Sequence, residues 1–168
     1  MQKFSIVFLA SVLMLGATIL RPLEAVPELN AKIKDYLDKV MNTKVDRGEC
    51  WDLAAAALAY SGAYFDRTSQ KTIYQFGKVV DPKRETIFPG DIVQFEKVEL
   101  SYETEDAVYT ETMGHHTAII YEVKAPGVFV LAHQNTSFSG KKVATSGLNL
   151  ADIKKGKMVF YRPVASKP

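Results

Sequence analysis

Apolar positions recur at helical spacing in two segments of the N-terminal third of the chain. In residues 27–42 they lie three or four positions apart, with lysine and aspartate between them, which predicts an amphipathic helix. Residues 50–61 are rich in alanine and leucine and precede Gly62, which predicts a second helix that ends there. The inward stripe of this second helix is predicted to contain Cys50, Leu53, Ala54, Ala57 and Leu58.

From residue 88 onward the pattern changes to the two-residue period that is typical of β-strands. The predicted elements are strands at 92–95, 117–123, 128–132 and 158–161, an acidic hairpin at 98–112 that turns near Glu105-Asp106, a further strand at 141–144, and a helical turn at 150–154 that Gly156 ends. The strands at 117–123 and 128–132 are joined by the turn Pro126-Gly127. Two helices followed by antiparallel strands predict an α+β fold with the helices packed on the sheet.

Composition limits the class of protein without defining its chemistry. The chain has 168 residues, which suits one domain, and its net charge of +2 is too balanced to indicate nucleic acid binding. Residues 1–25 combine a basic start, an apolar run and a small residue at Ala25, so they predict a cleaved signal peptide, with an uncleaved anchor as the alternative. We therefore expect residues 26–168 to form one secreted or periplasmic catalytic domain, monomeric and without a stable membrane span.

The only cysteine, Cys50, stands at the predicted start of the second helix. A single cysteine forms no internal disulfide, so in an exported protein it is a reactive thiol, an intermolecular link or a buried bystander. The positive end of the helix dipole favours the thiolate, which is the nucleophilic form. The position therefore indicates a candidate nucleophile.

All three histidines lie in the two segments that predict neighbouring strands. Alternate side chains of a strand share a face, so His116 and His115 point in opposite directions, and His115 is expected at the surface. The turn between the strands brings His116 near His133 and Asn135. If their face of the sheet covers the alanine stripe of the second helix, Cys50 meets His116 at the edge of the sheet, as cysteine catalysis requires.

The motifs occur in an order that resembles CHAP domains and the related NlpC/P60 cysteine peptidases, which have a papain-like fold. They are Gly48-x-Cys50-x-x-x-Ala54, Pro89-Gly90-Asp91-Ile92-Val93, Gly114-x-His116-x-Ala118-Ile119 and Gln134-Asn135. The resemblance implies that Cys50 is the nucleophile, His116 the base and His133 the third member. It also implies a hydrolase of amide or peptide bonds, mostly in peptidoglycan peptides, that uses no metal and no cofactor.

Some residues depart from that pattern and leave alternatives open. The pair His115-His116 replaces a single histidine, so the identity of the base depends on strand register. Asn135 shares a face with His133 and is an alternative partner for the base. Glu49 places a negative charge beside the thiol, which is expected to raise the thiol pKa.

The hypothesis is that Cys50 attacks an amide carbonyl, His116 transfers the proton, and the Cys50 N–H helps to form an oxyanion hole. Peptidoglycan or another peptide or amide is the expected substrate. One alternative is a secreted binding module without catalysis, which Glu49 and the acidic hairpin favour. Another is a metal-dependent hydrolase using His115, His116 and His133, although adjacent strand histidines diverge and chelate poorly.

Overall fold

The computed structural model describes residues 24–70, 72–103 and 106–168. Apart from its last two residues, the signal peptide predicted for residues 1–25 lies outside this part of the chain. The helices are α1 (Glu28–Val40) and α2 (Cys50–Ser61). Within the described ranges, neither helix is long and apolar enough to cross a membrane.

Six strands form one antiparallel sheet against which both helices lie. They are β1 (Lys78–Val80), β2 (Ile92–Glu103), β3 (Val108–Ala125), β4 (Val128–His133), β5 (Ala144–Asn149) and β6 (Ile153–Arg162). The order across the sheet is β1-β6-β2-β3-β4-β5. Two helices packed on an antiparallel sheet confirm the predicted α+β class.

Capping interactions at both termini determine where α2 begins and ends. At the N-terminus, Glu49 and Asp52 form a reciprocal capping box, in which the Asp52 carboxylate accepts the Glu49 N–H at 3.0 Å. At the C-terminus, Gly62 adopts a φ of 78°, a left-handed conformation that glycine adopts without steric cost. The helix predicted for residues 50–61 is therefore confirmed at both ends.

The stripe of α2 packs on the face of the sheet that carries Ile92, Ile119 and Ala132. The opposite face has its own apolar cluster, which includes Ala118 and Ile120. The expectation that the face of His116 covers the alanine stripe is therefore wrong. Strand alternation does not determine which face receives the helices, and the opposite face is filled by its own side chains, which include Phe95, Phe129 and Phe160.

The strand predicted at 92–95 and the acidic hairpin at 98–112 are parts of one long arm. β2 and β3 run without interruption and pair from Ile92↔Ile119 to Glu103↔Val108. Lys97 has a φ of 51°, and the register between β2 and β6 shifts on either side of Glu99. A local irregularity of this kind bends a strand and increases its twist.

Two predictions for the C-terminal part need correction. Gly156 lies inside β6 with a φ of 99° and does not end a helix. An added Cβ would lie 2.4 Å from the Lys97 carbonyl oxygen, so glycine allows β6 to pass close to β2 at its irregular position. The helical turn is accordingly limited to Leu150–Asp152. The strand predicted at 141–144 lies instead at Ala144–Asn149, because the backbone of Val143 bonds to Asn42 and Thr43 rather than to β4.

Asp91 joins α1, the turn before β2 and the end of β6. It is fully buried, and its carboxylate accepts hydrogen bonds from the Phe88 N–H at 2.9 Å and the Asn30 side-chain amide at 2.8 Å. The Arg162 guanidinium donates to both carboxylate oxygens, at 2.9 and 3.2 Å. A buried carboxylate with this many donors fixes the relative positions of three elements.

Replacing Arg162 removes the only cation that faces this buried carboxylate among the described residues. We expect Arg162→Leu to lower the free energy of unfolding by about 3 kcal/mol, because Asp91 stays buried without a counter-charge. Urea unfolding followed by circular dichroism measures this. The control Lys155→Leu breaks an exposed pair with Glu99 and should cost less than about 1 kcal/mol. Equal losses in the two variants would contradict this account of Asp91.

Candidate active site

Cys50 is the first residue of α2 and is partly exposed. The residues that follow it on the same stripe, Leu53, Ala54 and Ala57, are fully buried. The thiol therefore stands at the outer end of a packed helix face. A backbone N–H at this position has no partner within the helix, so it is available to a ligand.

Gln134 holds the start of α2 against the end of β4. This side chain is fully buried, and its amide nitrogen donates to the carbonyl oxygens of Val45 at 3.0 Å and Glu49 at 2.8 Å. Its amide oxygen accepts the Val45 N–H at 3.1 Å. The Glu49 carbonyl belongs to the same peptide unit as the Cys50 N–H. One side chain thus fixes the peptide before Cys50 to the residue after His133.

The two strand histidines and a serine form a hydrogen-bonded chain across three strands. Nε2 of His116 lies 2.9 Å from Nδ1 of His133, and Nε2 of His133 lies 3.0 Å from the Ser146 hydroxyl oxygen. We call these three residues the imidazole relay. Sequence reasoning missed Ser146, because the strand predicted at 141–144 stopped short of it.

Both imidazoles of the relay are neutral at pH 7. Burial lowers the pKa of His116 to about 4, and the neighbouring His115 contributes in the same direction. Burial also lowers the pKa of His133 to about 4, with His116 adding to the effect. In the described part of the chain, Nδ1 of His116 has no hydrogen-bond partner. The relay therefore presents one free ring nitrogen.

Glu49 and Asn135 are brought together beside the start of α2. The Asn135 side-chain amide donates to Glu49 at 2.7 Å, and Lys141 forms a salt bridge with the same carboxylate at 2.9 Å. Lys141 therefore offsets the negative charge next to Cys50. Asn135 binds Glu49 and makes no hydrogen bond to His116 within the described residues.

His115 points away from the relay. It is exposed, its ring lies 3.3–3.4 Å from the Gln94 amide nitrogen, and its edge contacts Tyr74 at a ring-centroid distance of 4.3 Å. Among the residues that the structure describes, no three His, Cys, Asp or Glu side chains are close enough to hold a metal ion. His115 and His116 diverge because neighbouring residues of a strand point to opposite faces.

The structure joins the predicted site residues in two groups. His116 contacts His133, and Glu49 contacts Asn135. No hydrogen bond joins Cys50 to a histidine in the described ranges. The link between Cys50 and the relay is the Gln134 amide, which binds the peptide that precedes the thiol.

The relay opens into a groove of about 860 Å³. One wall is the N-terminal half of β3, and the other is formed by β5 and the loop at 135–138. His116 and His133 both line this groove. A concave site with convergent polar groups is the usual form of a ligand-binding site.

Comparisons with known proteins bear on the fold. The model of the AIM3/BBC1 cysteine proteinase-fold domain matches residues 23–167. No curated protein matches the chain. Among solved structures, Ly7917 is 16% identical with a TM-score of 0.47, over 79% of this chain and 62% of that one. NlpC2 from Trichomonas vaginalis is 15% identical with a TM-score of 0.47, over 83% of this chain and 49% of that one.

The chain spans less than two thirds of the length of either solved structure. The family match covers nearly the whole described chain and confirms the cysteine-peptidase fold that the motifs imply.

The low pKa values of the relay predict how stability depends on pH. The unfolded histidines have a pKa near 6.5, while burial lowers the pKa of His116 and His133 to about 4. Between pH 6.5 and 4 the unfolded chain therefore binds more protons, so the free energy of unfolding falls as pH decreases. Urea midpoints measured from pH 7 to 5 test this. His133→Leu should reduce the slope, and an unchanged slope would show that the buried pair is not its source.

Proposed function

The chain belongs to the AIM3/BBC1 cysteine proteinase-fold family, and from that premise we propose that it is a cysteine-dependent hydrolase of amide or peptide bonds. The observation that carries the proposal is the imidazole relay, which lies at the end of a groove. Gln134 directly follows His133 of the relay and binds the peptide at the start of α2. A nucleophile, a base and a group that orients the base are the parts that such catalysis needs.

The relay supports a base only in one of its two neutral tautomers. If Nε2–H of His133 donates to Ser146, then Nδ1 of His133 accepts from Nε2–H of His116. This arrangement leaves the lone pair of His116 on Nδ1, where it can take a proton. If Ser146 donates instead, Nδ1 of His116 carries the proton and cannot act as the base. Ser146 therefore acts as a positioning residue through its acceptor oxygen.

In the proposed reaction, the Cys50 thiol transfers its proton to Nδ1 of His116, and sulfur attacks the amide carbonyl carbon. The Cys50 N–H stabilises the oxyanion, His116 returns the proton to the leaving amine, and water hydrolyses the thioester. α2 packs on the sheet face opposite the one that carries His116. The proposed reaction therefore requires the thiol and the imidazole to meet around the end of β4 when substrate binds.

We further propose that the substrates are peptides of the peptidoglycan kind and that the domain acts outside the cytoplasm after loss of residues 1–25. The motif resemblance supports the substrate class. The basic start and apolar run of the leader support export.

A second candidate function is a binding module that keeps the fold without catalysis. The observation that favours it is the packing of α2 on the face of the sheet that carries Ile119, whereas His116 shares the opposite face with Ile120. If this separation persists in the complex, the groove binds a ligand that the thiol cannot reach.

Hydrolysis of purified peptidoglycan, followed by mass analysis of released fragments, separates the two functions. Cys50→Ala should abolish product, and His116→Gln should lower kcat by at least about 100-fold, because the general base is lost. Ser146→Ala should lower kcat while leaving KM unchanged, because it acts through His133. The matched control His115→Gln should keep wild-type kcat.

Alkylation of Cys50 by iodoacetamide gives a second, substrate-independent measurement, since the chain has one cysteine. We expect His116→Gln to alkylate more slowly than wild type at neutral pH. Equal alkylation rates together with no hydrolysis of any peptide would reject the hydrolase in favour of the binding module.

A further inference from the structure

One edge of β3 is left open along half of the strand. β3 pairs with β2 from Val108 to Ile119, but it pairs with β4 only from Ile119 to Ala125. From Tyr109 to Ala118, no described strand lies beside the edge that faces away from β2. At about 3.3 Å per residue, this open edge is roughly 30 Å long.

The direction of the free backbone groups follows from two hydrogen bonds. The Ile120 N–H donates to the Asp91 carbonyl at 2.8 Å, and the Gly90 N–H donates to the Ile120 carbonyl at 2.7 Å. The backbone groups of Ile120 therefore face β2, and alternation turns those of Thr117 and His115 toward the open edge. Beyond Gly114 the alternation changes, because Met113 packs in the same apolar cluster as Ala118 and Ile120.

The space beside this edge is open because the chain turns away from β3 after β4. β4 ends at His133, and Asn135 has a φ of 62°, which directs the chain into the turn bridged by Thr136 and Gly140. The groove occupies the space that a longer β4 would fill, with β3 on one side and β5 on the other. His116 and His133 lie at the end of this groove, where β4 stops.

The charge of the groove differs from that of the whole chain. Among the described residues, its lining includes the carboxylates of Glu111 and Asp152 and no lysine or arginine, although the chain has 21 basic residues. Glu111 accepts a hydrogen bond from the Tyr102 hydroxyl at 3.0 Å, which holds one carboxylate in the wall. The groove is therefore complementary to a cationic ligand.

We propose that the open edge of β3 binds an extended peptide with basic side chains as an added strand that ends at His116. The proposal rests on the proposed function and names its substrate class. The free N–H and C=O groups supply the binding energy of strand addition, and Glu111 and Asp152 select for basic side chains. A second copy of this chain fits less well, because it would place its own Glu111 against the same acidic wall.

Fluorescence anisotropy with the Cys50→Ala protein measures binding without turnover. The probes are a labelled ten-residue Thr/Val peptide with two lysines, its twin with two glutamates, and a lysine twin whose consecutive backbone amides are N-methylated. We expect the glutamate twin to bind about tenfold more weakly than the lysine peptide. The N-methylated twin should not bind, because it has lost the donors that pair with β3.

Variants of the wall test the charge contribution separately. Glu111→Gln keeps a hydrogen-bond acceptor for Tyr102. It should weaken binding of the lysine peptide about threefold, and it should not weaken binding of the glutamate twin. The matched control is Glu122→Gln, which lies on the same strand outside the groove and pairs with Lys124. This control should bind like the parent protein.

The outcomes separate this proposal from the hydrolase. Binding of the lysine peptide by Cys50→Ala, with no hydrolysis by wild type, supports strand addition and contradicts the enzyme. Hydrolysis by wild type with equal binding of the N-methylated twin overturns strand addition and leaves the enzyme. Sedimentation velocity that shows a dimer dissociated by substitutions at the β3 edge would assign the edge to a second copy and reject the peptide.

Discussion

The buried Gln134 amide is the constraint on which the candidate site depends. It binds both sides of the loop before α2 and comes directly after the last residue of β4. Three hydrogen bonds from one fully buried side chain leave this junction little freedom, because a displaced amide would expose unpaired backbone groups to the core. The peptide of Cys50 and the imidazole of His133 are therefore held at the same junction, although they belong to different layers of the fold.

The ionisable groups at this junction are either paired with an opposite charge or neutral. Glu49 caps α2 and is matched by Lys141, and Asp52, which is buried, is matched by Arg47 at 2.5 Å. The two imidazoles of the relay are neutral at neutral pH, because burial lowers the pKa of His116 and His133 to about 4. The wall of the groove thus owes its sign to Glu111 and Asp152.

The local features of the fold could be predicted because short-range chemistry determines them. The alanine run and Gly62 define α2, and the Pro126-Gly127 turn joins β3 to β4. Nonlocal features could not be predicted in the same way. The face that receives α2 depends on helix–sheet contacts between residues far apart in sequence, and Ser146 was missed because Val143 bonds to the segment after α1 and β5 begins only at Ala144.

The pairing of His116 with His133 depends on a different kind of information. Strand alternation and one turn place these two side chains near each other, and the structure gives the contact at 2.9 Å. The position of Cys50 relative to them depends on helix–sheet packing, which alternation within a strand does not determine. The central claim is that the thiol and His116 act as one unit.

Long-range proton–nitrogen NMR of the three imidazoles tests that claim most directly, before and after Cys50 is blocked as a methyl disulfide. The account predicts that the His116 ring nitrogens shift most, that those of His133 follow through the relay, and that those of His115 stay in place. Shifts confined to His115, or no shift at any ring, would contradict it.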